Sequence, residues 1–138
     1  MHSLGMRPEN TNASPDGWVV NDETLGDNVV VYKDDESNIA ASPFTYEYDD
    51  TVGPTEKDNV AASTVNAFYL INTVHDMWHE YGFTEEAFNF QDDNYGEGSE
   101  GRDRVLLSVQ DASVPTMLTS LLLLSAFHLS YLLPYPAD

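Results

Sequence analysis

The chain has 138 residues, and 5 Lys and Arg stand against 24 Asp and Glu, for a net charge of −19. That length suits one domain around one core, and the charge argues against nucleic acid or an anionic membrane as partner, since both need a basic face. With no cysteine, a disulfide framework, a thiolate metal site and a cysteine nucleophile are excluded, while the compartment stays open because a core of this size needs no disulfides.

Residues 1–17, MHSLGMRPENTNASPDG, are polar and broken by Pro8, Pro15 and Gly17, and they read as a flexible, extended arm. They lack the apolar stretch of a signal peptide. If the protein acts outside the cell, its export signal is not in this sequence. Asn12-Ala13-Ser14 has the form of a glycosylation acceptor, but Pro15 follows directly and disfavours its use, so chance is the simpler account. In residues 18–33, Val29, Val30, Val31 and Tyr32 form a β-prone run after the turn signal Gly26-Asp27, which predicts a short strand or hairpin. Residues 34–59 read mostly as loop. Phe44, Tyr46 and Tyr48 alternate with polar residues there and predict one strand at a sheet edge. Asp34-Asp35-Glu36 lacks the spaced oxygen ligands and bend-forming glycine of a calcium loop.

From 60 to 81 the pattern is helical. Val60, Thr64, Ala67, Ile71, Val74, Trp78 and Tyr81 recur at three- and four-residue steps and make one apolar stripe. Gly82 fits a C-terminal cap. Thr84 is placed to cap a second, short helix running to about Phe88 or Phe90, with Glu85 and Glu86 at its positive end. Residues 92–101 form an irregular acidic loop, and Arg104 to Gln110, RVLLSVQ, predict a buried strand.

Two constellations could carry chemistry. His75 and His79 lie four apart on one helix face, as do the histidines of the zinc-binding H-E-x-x-H pattern. Here the sequence is H-D-M-W-H, and Asp76 is one methylene shorter than the glutamate that activates water. The competing reading has His75 and Asp76 hydrogen-bonded within a polar seam and His79 near the surface. Asp92, Asp93, Glu97 and Glu100, on a loop with Gly96 and Gly98, could wrap calcium, but their spacing fits no established loop and a solvated surface is favoured. No Ser/His/Asp triad can be read from spacing, and neither phosphate-binding glycine motif occurs.

The central stretch resembles the fungalysins, secreted fungal zinc metalloendopeptidases, in a part N-terminal to their active site. The matching residues are Asn72, His75-Asp76, Tyr81-Gly82-Phe83, Asn89-Phe90-Gln91, Asn94, Gly96, Gly98 and the run VLLSVQD from Val105 to Asp111. Residues 60–113 match well. Residues 13–59 match loosely, through SPDGW and GDNVVVY. His79 stands where such proteins usually carry tyrosine. The resemblance implies an α+β fold, part of the N-terminal subdomain of a thermolysin-like protease, with short strands and the helix at about 60–81. It also implies zinc, peptide substrates, an extracellular location and a zymogen whose inhibitory propeptide is absent here. The zinc ligands it implies lie in a downstream H-E-x-x-H helix and a later glutamate. The only H-E dipeptide, His79-Glu80, has Phe83 where the second histidine should be. No catalytic or zinc-binding residue can therefore be carried over.

After Ser113 the family pattern gives way to the uncharged VPTMLTSLLLLSAFHLSYLLPYPA. One coding of the family-like GTNNADFTTPP, read one base later, spells VPTMLTSLLLL, which is 114–124. This points to a frameshift between Ser113 and Val114. The resulting division is an arm at 1–17, a truncated catalytic-domain fragment at 18–113 and a non-family apolar tail at 114–138. Taken at face value the tail is long enough to span a membrane, but Pro115, Pro134, Pro136 and His128 interrupt it and no basic flank orients it. The expected function is a fragment of a zinc metalloendopeptidase, inactive as this chain. The alternatives are a non-catalytic acidic module that binds calcium or a protein partner, and a membrane-anchored fragment.

Overall fold

The computed structural model describes residues 9–98 and 100–110. The junction after Ser113, the tail at 114–138 and the first part of the arm lie outside the described residues. Among the described residues no helix is long and apolar enough to cross a membrane.

The molecule is built on strand β1 (Val29–Lys33). Strand β2 (Asp35–Ile39) pairs with it antiparallel, and strand β3 (Val105–Ser108) pairs with it parallel on the other side. The parallel pair runs in register from Val29 opposite Val105 to Tyr32 opposite Ser108. Parallel neighbours need a long crossover, and helix α1 (Lys57–Glu80) lies within it and packs against β1. Gly26 makes the approach to β1 possible. Its N–H bonds the Val29 carbonyl, and a Cβ there would sit 2.0 Å from the Trp18 carbonyl oxygen.

Helix α1 begins before residue 60 because Asn59 anchors it. The fully buried Asn59 amide donates to the carbonyls of Asp49 and Gly53 and accepts from the Asp49 N–H at 2.8 Å. At the far end Gly82, at φ +95°, closes the helix as expected, with its N–H on the His79 carbonyl and that of Phe83 on Trp78. The core is Trp18, Val29, Val31, Phe68, Ile71 and Val109, with Tyr69 meeting Trp18 edge-on at 5.7 Å.

Several expectations need correction. The arm does not extend freely past residue 9. It turns at Asn10 and again at Ser14, and it buries Ala13 and Ser14 against α1 because Asp76 draws its polar groups inward. No strand forms at Phe44, Tyr46 and Tyr48. Phe44 has φ +57°, the Tyr46 hydroxyl bonds back to the Ala41 carbonyl, and Tyr48 is exposed, so the second antiparallel strand falls earlier, at β2. The second helix is a single 3-10 turn, Glu85–Ala87, which ends at Phe88 in the left-handed conformation, and the Thr84 side chain makes no capping bond. Strand β3 is not fully buried: Leu106 is 52% exposed, and the deepest residue of that segment, Val109, lies just past the strand. The apolar stripe on α1 is rotated. Thr64 and Ile71 are buried, but Tyr81 is 78% exposed, and the inward face continues through Phe68, Asn72, His75 and Asp76.

Candidate functional site

The inward polar face of α1 belongs to a connected group of buried side chains. Asp76 is fully buried. Its carboxylate accepts from the Asn10 N–H at 2.7 Å, the Ser14 hydroxyl at 2.8 Å, the Trp18 indole N–H at 2.9 Å and, at 3.3 Å, His75 Nδ1. Burial alone would push its pKa up; the bonds from His75, Asn10, Ser14 and Trp18 outweigh that and hold it below the usual carboxylate value.

From Ser14 the network passes to Asn28, the residue before β1. Asn28 donates its amide to the Ser14 hydroxyl oxygen and to Asn72 Oδ1, both at 2.9 Å. Asn72 donates to the Phe68 carbonyl. Gln91, fully buried, donates from Nε2 to the Ala13 carbonyl, Asp27 Oδ2 and Asn28 Oδ1, each at 3.1 Å, and accepts from Asn89. Asp27 in turn accepts the Asp93 N–H at 2.7 Å. Four stretches distant in sequence are thus tied together: 10–18, the entry to β1, the helix, and 89–93. A buried polar network of this kind stabilises only when its members are satisfied.

The two histidines are not brought into one cluster. His75 turns Nδ1 to Asp76 and faces a small cleft beside Phe83 and Phe90. His79 turns Nε2 to Glu85 at 3.4 Å and faces an open cavity lined by Asn12, Glu86, Tyr95 and Glu97. Among the described residues no three His, Asp or Glu side chains are grouped as a metal site would need. A zinc centre needs three or four such ligands around one point.

In the acidic loop, Asp92, Asp93, Glu97 and Glu100 are all exposed. Asp93 Oδ1 accepts the Tyr95 N–H at 2.8 Å, and Asp92 lies 3.8 Å from the Arg104 guanidinium. Asn94 holds the loop closed by donating to the Glu100 carbonyl at 2.9 Å. Burial raises the pKa of Asp27 beneath this loop, and the charges of Asp92 and Asp93 add to the rise, against the lowering effect of the Asp93 N–H.

The sequence assigns no site role to Asn10, Ser14, Trp18, Asp27 or Asn28. Periodicity carries no signal for them. The family resemblance did touch four, since SPDGW spans Ser14 to Trp18 and GDNVVVY includes Asp27 and Asn28.

Comparison with known proteins agrees with this placement. The family model described as Fungalysin metallopeptidase (M36) matches residues 2–120, a span that reaches past both bounds of the fragment expected at 18–113. Extracellular metalloproteinase 5 of Arthroderma gypseum is 36% identical over 121 residues, which cover 77% of this chain and 19% of that protein. Extracellular metalloproteinase 1 of Trichophyton equinum is 35% identical over 121 residues, 77% of this chain and 20% of that protein. The chain therefore spans about a fifth of the length of the relatives it matches. With the match covering most of its length, and the matched residues forming its buried seam, the chain belongs to the fungalysin metallopeptidase family.

Proposed function

We propose that this chain is the N-terminal part of the catalytic domain of an extracellular zinc metalloendopeptidase, and that alone it cleaves no peptide bond. The observation that carries this reading is the employment of its family-type polar residues. Asn72, His75, Asp76, Asn89 and Gln91 are bonded to one another or to backbone within the fold. They act as scaffold. The 138 residues contain no H-E-x-x-H from which a zinc site could be built. In a complete enzyme, zinc would supply the water activation that hydrolyses internal bonds of protein substrates, and an inhibitory propeptide would hold the zymogen in check. The relatives' description as extracellular supports the same location for the protein to which this segment belongs.

The test is hydrolysis of casein by the purified 138-residue chain supplied with zinc. The expected rate is that of a blank without protein. Proteolysis that a zinc chelator abolishes would overturn the reading. The tail beyond Ser113 is attributed to a change of reading frame. Because the family match reaches residue 120, transcript sequence is needed to place that change, and a transcript in which no frame encodes NNADF just downstream would rule it out.

A further inference from the structure

His75 and Asn89 line the same small cleft, with a volume of about 40 Å³ and otherwise mostly apolar walls from residues such as Ile71, Trp78, Phe83 and Phe90. His75 is 9% exposed and Asn89 1%. His75 Nε2 and Asn89 Oδ1 are buried polar atoms with no hydrogen-bond partner among the described residues. Both atoms can accept a hydrogen bond. The Asp76 carboxylate accepts from Asn10, Ser14 and Trp18, so the His75 nitrogen facing it, Nδ1, is the one placed to carry a proton, and in that tautomer Nε2 offers a lone pair. The Asn89 amide nitrogen is fixed by its bond to Gln91 Oε1, and exchanging its ends would set two oxygens against each other. Asn28, which also borders the cleft, has both amide ends committed.

Two buried acceptors on residues that line one cleft are served by an occupant that brings two donors. Water has two O–H groups and is small enough to enter the cleft. We propose that the cleft binds a single water molecule that donates one hydrogen bond to His75 Nε2 and the other to Asn89 Oδ1, linking α1 to the 89–91 segment. The seam would then continue from Asp76 through the imidazole to Gln91.

The test uses the full chain. A crystal structure at a resolution that shows ordered solvent is expected to place one water within hydrogen-bonding distance of both atoms. Nitrogen NMR of isotope-labelled histidine is expected to find the His75 proton on Nδ1. In His75→Phe the water is expected to be lost while Asn89 stays on Gln91. A proton on Nε2, a dry cleft, or a water that touches only one of the two atoms would overturn the proposal. Should His75→Phe fail to fold, the tautomer and the solvent position in the unmodified chain decide it.

Discussion

Asp76 and Asp27 lie at two ends of one hydrogen-bonded seam and respond to the fold in opposite directions. Asp76 is the more deeply buried, yet its pKa falls, because four donors converge on it. Asp27 is less buried, yet its pKa rises, because burial is joined by the charges of Asp92 and Asp93 and the donors are fewer. Burial depth alone would predict the reverse order. The supply of donors decides whether a carboxylate stabilises this fold or strains it. In a chain of net charge −19, the arm at 10–18 supplies that need at Asp76, while Asp27 beneath the acidic loop draws on the Gln91 amide and the Asp93 N–H.

The largest expected effect comes from removing the better-served carboxylate. Asp76→Ala leaves the Trp18 indole and the Ser14 hydroxyl buried, and the Asn10 N–H half-buried, without this acceptor. The loss is expected to be on the order of 4 kcal/mol, enough to unfold a marginal domain. Urea denaturation followed by tryptophan fluorescence measures it, since Trp18 reports directly on the seam. A loss near that of a surface substitution would mean the arm is held by its apolar contacts instead. Next comes Gln91→Ala, which strips three acceptors of a shared donor and opens a cavity at a fully buried position. It should cost about 2 kcal/mol. Because Gln91 joins the two ends, its loss should also loosen 89–93, which amide hydrogen exchange would show.

How much of this was legible in the sequence follows from the kind of interaction involved. The helix and β1 were readable, because apolar periodicity and a β-branched run are local signals. The rotation of the helix face was not. Phe68, Asn72, His75 and Asp76 follow a helical step as regular as the apolar stripe does, but a polar residue gives no sign that it is buried until its partners are known. Those partners lie as much as 66 residues away, as Asn10 does from Asp76. The arm was misread for the same reason, since Pro15 and the polar residues at 10–17 describe a turn equally well. The strand expected at Phe44 to Tyr48 failed because alternation cannot foresee the left-handed backbone at Phe44.

A pH titration sharpens the contrast between the two carboxylates. The ordinary value is 3.8 for both. Asp27 lies above it in the fold, so its contribution is fully present below 3.8 and is lost as pH rises through the folded value. Asp76 lies below it, so its contribution is present above 3.8 and is lost as pH falls through the folded value. The two windows therefore sit on opposite sides of 3.8. Asp27→Asn should remove only the upper one. As pH falls toward 3.8, the unmodified chain should gain stability relative to this variant. A difference in urea midpoint that stays constant with pH would show that Asp27 is not strained by its neighbours.

The smallest expected effect tests whether the acidic loop has an unrecognised cation to supply what it lacks. Its carboxylates are engaged locally, Asp93 with the Tyr95 N–H and Asp92 beside Arg104. Sodium chloride should therefore stabilise the chain only by screening Asp27, Asp92 and Asp93 from one another, by about 0.5 kcal/mol or less. Calcium chloride at equal ionic strength should do the same and no more. A specific site would behave differently, since a ligand at one hundred times its Kd adds about 2.7 kcal/mol. That margin is several-fold larger than screening, so thermal denaturation in the two salts separates the cases. A calcium-specific gain lost in Asp92→Asn would make the loop a binding site and would favour the non-catalytic acidic module over the silent fragment.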